Sequence, residues 1–124
     1  MFSSCSSLTD IGALSSWDTS SVTNMYSMFQ SCSNLEEVDL SSWDTNSLTS
    51  VGWMFYGCNN LRSIDLSSWD TSNVTDMYYI FNSCGNLRSI NLSGWDTSRV
   101  TNMNYLFNNS SRLETIYATD SFIV

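Results

Sequence analysis

The apolar positions of the chain recur in register. In residues 69–94 they are Trp69, Val74, Met77, Ile80, Phe81, Cys84, Leu87, Ile90 and Leu92, and segments 17–42, 43–68 and 95–120 repeat them almost position for position, each 26 residues from the next. Self-similarity at a fixed period of this length is the signature of stacked repeats and has to be read before anything local. Residues 1–16 form a partial unit with one additional residue near Gly12 and Ala13, and 121–124 form a short tail. The chain therefore reads as one domain, 1–124, of about 4.5 units.

Within each unit the period changes. Val74, Met77, Ile80/Phe81 and Cys84 stand three or four residues apart, the spacing of one face of an α-helix. Leu87, Ile90 and Leu92 follow L-x-x-I-x-L, whose end alternates as a strand does, one face in and one out. Between them Cys84-Gly85-Asn86 reads as a turn ending the helix. Each unit is thus predicted to run strand, Trp-Asp-Thr corner, helix of about three turns, and turn back. No single unit buries its apolar face alone. Stacking lays like residues over one another, with parallel strands about 4.8 Å apart.

L-x-x-I-x-L followed by a helix makes the unit resemble a leucine-rich repeat. The expected fold class is accordingly α/β: a leucine-rich-repeat-like helix–strand solenoid with a parallel sheet. The fuller pattern W-D-T-S-x-V-T-x-M-x-x-M-F-x-x-C-x-N-L, recurring over essentially residues 1–120, resembles the 26-residue repeat of bacterial surface proteins and lipoproteins grouped with the BspA-like leucine-rich-repeat proteins. The resemblance implies a surface-exposed, non-enzymatic repeat, often part of a larger adhesin-like chain, with no single ligand common to the family. Met1-Phe2 aligns with Met28-Phe29, in the middle of a predicted helix, and no export signal or anchor is present. The chain is therefore expected to be a piece of a longer exported protein, extracellular or at the cell surface.

Charge narrows the partners. Twelve acids stand against four arginines, with no lysine or histidine, for a net −8. Such a surface repels nucleic-acid phosphates and anionic head groups, so neither nucleic acid nor a membrane surface is an expected partner. Apolar runs are only a few residues long, so no membrane insertion is expected. Without His or Lys the commonest general base, metal ligand and Schiff-base nucleophile are missing. With no nucleophile–base pair or phosphate loop in view, the expectation is no enzyme, no cofactor and no metal.

The corner pairs Trp17-Asp18, Trp43-Asp44, Trp69-Asp70 and Trp95-Asp96 admit two readings. An Asp column one rung apart offers oxygens to Ca²⁺, but that ion takes six to eight of them. Placed before a helix start, the same Asp caps free N–H groups, and this structural reading is preferred. The Trp is expected to fill the corner with its N–H bonded to backbone. Cys5, Cys32, Cys58 and Cys84 share one column, with Ser110 in the last unit. Helices about 8–10 Å apart would hold the cysteines too far from one another to bridge, so buried thiols are expected rather than disulfides. The Thr columns suggest either water-ordering arrays, as in ice binding, or ordinary capping.

Two surfaces remain as candidate binding sites. The outward strand positions carry Asp39, Asp65, Asn91 and Tyr117, with Glu36 beside Arg62 and Arg88 beside Glu114 as register-marking pairs. The helix exterior carries Trp53, Tyr79 and Tyr105 in one column, Tyr26 and Tyr78 in the next, and Tyr56 at the edge. Aromatics at such positions anchor partners or stack on sugars. The expected function is a non-enzymatic, adhesion-type interaction module for a protein or glycan. The alternative is a structural protein assembling head to tail into filaments through apolar ends, Met1-Phe2 and 121–124.

Overall fold

The computed structural model describes residues 1–123 and stacks the repeat units in parallel register. Three short strands, β1 (Ser63–Asp65), β2 (Ser89–Asn91) and β3 (Thr115–Tyr117), form an open parallel sheet in the order β1-β2-β3. Ile64 pairs with Ile90 and Ile90 with Ile116, so each step along the sheet is one repeat. A second parallel ladder of single bridges joins Asn24, Ser50, Asp76 and Asn102.

The expected helix–strand solenoid is not the fold. Among the described residues the only helical element is a 3₁₀ turn, Gly12–Ser16. The stretches predicted as helices are runs of turns, and the hydrogen bonds show why. Met54, Tyr56, Cys58 and Leu61 donate three residues back, to Val51, Trp53, Phe55 and Cys58, at 3.1–3.3 Å. The intervening N–H groups of Val51, Trp53, Phe55 and Gly57 cross instead to the carbonyls of Asp76, Tyr78, Ile80 and Asn82 in the next unit, at 2.9–3.1 Å. Half of the backbone is thus satisfied within its own turns and half by the neighbouring rung.

Two further causes act against a helix. Ser27, Trp53, Tyr79 and Tyr105 have φ of 55–59°, and Ser31, Ser83 and Asn109 of 59–60°, values that a right-handed helix does not accept. Of the strong helix formers, residues 73–86 hold only Met77, and they are rich in Asn, Ser, Thr and aromatics. The apolar spacing of three to four is common to a helical face and to a chain of i→i+3 turns. Here it belongs to the turns.

The core lies inside this stack. Phe29, Phe55 and Phe81 are fully buried and stack with ring centroids 5.5 and 5.6 Å apart, and Leu35, Leu61 and Leu87 form a buried column of their own. Each such side chain contributes roughly 1.5–3 kcal/mol on burial. At the corner, Trp43, Trp69 and Trp95 are buried, and their Nε1–H groups donate to the carbonyls of Leu14, Leu40 and Leu66 at 2.9–3.2 Å. Trp17, in the first complete unit, is 39% exposed.

With no helix to cap, the corner Asp residues do something more local than expected. Oδ1 of Asp18, Asp44, Asp70 and Asp96 accepts the backbone N–H two residues on, closing an Asx turn. Thr19, Thr45, Thr71 and Thr97 are buried and hydrogen-bonded across rungs, so that column presents no hydroxyl array to water. Thr49, Thr75 and Thr101 direct their hydroxyls to the carbonyls of Thr23, Thr49 and Thr75. The thiols of Cys32, Cys58 and Cys84 are free and each donates to a carbonyl one unit back, those of Phe2, Phe29 and Phe55, at 3.1 Å. These carbonyl contacts, and not a helix-to-helix spacing, set the position of the thiols. Of the apolar ends, Met1 and Ile123 are exposed and Phe122 is half-buried, while Val124 lies outside the described residues. Among those residues no helix is long and apolar enough to cross a membrane.

Candidate functional site

The ladder through Asn24, Ser50, Asp76 and Asn102 fixes the backbone just ahead of the aromatic positions. Three residues on, the chain enters the left-handed conformation. There the N–H groups of Trp53 and Tyr79 donate to the carbonyls of Tyr78 and Asn104, both at 3.0 Å. A positive φ is uncommon for bulky residues and costs on the order of 1–3 kcal/mol unless its surroundings enforce it. The second left-handed position of each unit carries Ser31, Gly57, Ser83 or Asn109, mostly the small or polar residues expected there. The first carries Ser27 and then three aromatics.

Those aromatics form one continuous surface. Trp53 stacks on Tyr79 with centroids 4.6 Å apart at 21°, and Tyr79 on Tyr105 at 4.9 Å and 27°. Tyr56 packs against Trp53 at 4.5 Å, and Tyr78 meets Trp53 edge-on at 6.2 Å and 88°. Tyr26 joins from two rungs away, its hydroxyl 2.9 Å from that of Tyr78. The two rings meet because Gly52 stands between them: a Cβ there would lie 3.0 Å from the Tyr78 ring and 3.3 Å from that of Tyr26. The shared hydroxyl contact, with some burial, pushes the Tyr26 phenol up to about 12.

Polar groups border the rings. Nε1 of Trp53 and Oδ1 of Asp76 are buried and have no hydrogen-bond partner among the described residues. Burial raises the Asp76 carboxyl above the usual carboxylate range, although the Tyr78 N–H works against this. At the equivalent positions Asn24 and Asn102 accept the N–H groups of Tyr26 and Asn104 at 2.8 and 3.2 Å. Position 52 is among those where the repeats differ, whereas Asp76 is not among the candidate residues of the sequence. The available signal was a departure from the repeat: an acid where other units have Asn or Ser, and a glycine between two tyrosines.

The strand-face candidates lie apart from this patch. Asp39 and Asp65 border an open groove of about 490 Å³ together with Asp10, Glu37 and Ile64. Both carboxylates are engaged locally: each accepts the N–H and hydroxyl of the serine two residues on, Ser41 and Ser67, at 2.6–3.0 Å. Those bonds, the hydroxyl first, hold both carboxyls below the ordinary range. Asn91 accepts the Ser93 N–H at 3.1 Å in the same way, and Tyr117 is 59% exposed on β3. Among the described residues no group of three or more His, Cys, Asp or Glu is placed to hold a metal ion.

The stacked rings offer a flat apolar platform, and the Tyr26 and Tyr78 hydroxyls give it a polar edge. A family model described as "Mycoplasma protein of unknown function, DUF285" matches residues 1–119. No curated protein and no solved structure matches the chain.

Proposed function

The chain belongs to the DUF285 family, a bacterial repeat family, and on that footing we propose that it is a non-enzymatic, cell-surface interaction module of the adhesion type. Its aromatic face is the binding surface and a glycan the preferred ligand, with a protein partner as the broader class. The finer kinship with BspA-like surface proteins belongs to the same proposal and rests on the recurring Trp-Asp-Thr, Met-Phe and Cys-x-Asn-Leu elements.

One observation carries the reading. Trp53, Tyr79 and Tyr105 occupy a left-handed backbone position that the second turn of the unit fills mainly with Ser, Gly or Asn, and they stack there into a single row. A fold indifferent to this surface would place small residues at both turns. The electron-rich ring faces suit the polarised C–H groups of a sugar, and Trp and Tyr dominate binding hot spots.

Asn accepts the left-handed conformation, so Trp53→Asn and Tyr79→Asn remove the rings while keeping the turn. On a glycan array each variant should bind at least about tenfold more weakly, the effect of losing a hot-spot residue. Undiminished binding by both would remove the aromatic face as the site.

A second reading, head-to-tail assembly, has its own support. In the last rung the N–H groups of Met103, Tyr105, Phe107 and Asn109 have no acceptor among the described residues, whereas Met77, Tyr79, Phe81 and Ser83 all donate to the following unit. A rung of the same register, whichever chain supplies it, would accept them. From a second copy this is a heterologous contact that propagates into a filament.

A further inference from the structure

The chain has only four cationic side chains among its 124 residues, and three of them line one groove. Arg62, Arg88 and Arg112 border a depression of about 300 Å³ with the amides of Asn60 and Asn86. Two columns meet here. One runs Asn34, Asn60, Asn86, Arg112, its members joined by side-chain contacts of 3.4, 3.4 and 2.8 Å. The other runs Glu36, Arg62, Arg88, Glu114, with the Arg88 N–H donating to the Arg62 carbonyl at 2.8 Å.

Arg62 and Arg88 are like charges on adjacent rungs, an arrangement that is unfavourable by itself. Each is drawn toward the acid on its far side, Arg62 to Glu36 at 3.8 Å and Arg88 to Glu114 at 3.6 Å. Both separations exceed hydrogen-bond length, and all four side chains are more than half exposed, so the pairs are weak and their donors remain available. An anion seated between the two arginines would relieve their repulsion and take up those donors.

We propose that this groove binds a single oxyanion, a carboxylate or sulfate, carried by an otherwise neutral saccharide. The charge pattern selects that class. Glu36 and Glu114 close both ends of the arginine pair, so the positive strip is too short for a polyphosphate backbone or an anionic bilayer, which the net charge of −8 repels in any case. Asn60 and Asn86 add amide donors and acceptors suited to sugar hydroxyls. The groove is built from residues separate from the aromatic face, and the inference stands without that reading.

The test compares a sulfated and a uronic-acid oligosaccharide with inorganic sulfate, an acidic peptide and anionic phospholipid vesicles, by calorimetric titration of the intact chain. Both oligosaccharides, or one of them, should bind, with affinity falling as salt is raised. Arg88→Gln and Arg112→Gln should each weaken binding at least about tenfold, as expected for loss of a hydrogen bond to a charged group. Arg99→Gln, whose parent side chain pairs with Asn73 elsewhere, should leave it unchanged. Unaltered thermal melts would exclude misfolding as the cause, and Arg62→Gln replaces any variant that fails to fold. Saccharide binding insensitive to the groove variants, tighter binding of peptide or vesicles, or binding of none of the probes would overturn the proposal.

Discussion

At the scale of single residues, the Asp side chains divide by what they face. Asp18, Asp39, Asp65 and Asp70 are held below the ordinary carboxyl range chiefly by a serine hydroxyl two residues on, and Asp96 chiefly by the Ser98 N–H. Their stabilising effect is present above the unfolded value of about 3.9 and is lost as pH falls through the lower folded values. Asp76 has the opposite sign. Its folded pKa lies above the unfolded one, so stability falls as pH rises through that window, and the penalty applies above it. Asp76→Asn, which installs the residue found at 24 and 102, should raise the melting temperature at pH 7 by a few degrees, with the gain vanishing below about pH 4. Melts at the two pH values check this; an equal gain at both would mean that charge burial is not the cause. The departure from the repeat at this residue is legible in the sequence, but its burial is not, because Tyr26, whose phenol feels its charge, comes from a unit two rungs away.

At the scale of the element, the turn unit follows from where the left-handed residues fall. Gly57 has φ of 71°, and a Cβ there would meet only Ser31, its Oγ at 3.4 Å and its backbone at 3.7 Å or more, so space is not the obstacle. Gly57→Ala should destabilise by about 1–2 kcal/mol through backbone strain alone. Ser31→Gly, at φ of 59°, should lose little or gain up to about 1 kcal/mol. Denaturant unfolding of the two variants reads both signs, and a Gly57→Ala protein as stable as the parent would refute the strain argument. Three of the four strand segments were legible as elements, with Ser63 and Asp65 facing out and Ile64 in as L-x-x-I-x-L implies, whereas residues 37–39 carry the same pattern and form no strand. The runs of turns that stand where helices were expected were not legible. Met77, Ile80, Phe81 and Cys84 carry a spacing that turns and helices share, and the left-handed state of Tyr79 is not written in its side chain.

At the scale of the whole molecule, the exposed surfaces and the open rung are the remaining features. If the N–H groups of Met103, Tyr105, Phe107 and Asn109 donate to a second copy, the weight-average mass in sedimentation should rise with concentration. A monodisperse monomer throughout the series would exclude assembly and leave the interaction reading alone. The membership of the aromatic patch was largely legible, since Trp53, Tyr79 and Tyr105 share one column of the repeat. Its continuity was not, because the Tyr26–Tyr78 contact exists only where Gly52 leaves room for it.

The sequence by itself determined the period, the parallel stacking register and the identity of the buried columns. Those follow from apolar residues recurring 26 apart, whichever local conformation carries them. Only the tertiary structure decided between helix and turn. That choice depends on where each N–H finds its carbonyl. Val51, Trp53, Phe55 and Gly57 find theirs in the next unit, on residues 25 positions further along the chain. An acceptor supplied by a neighbouring rung exists only once the rungs are stacked.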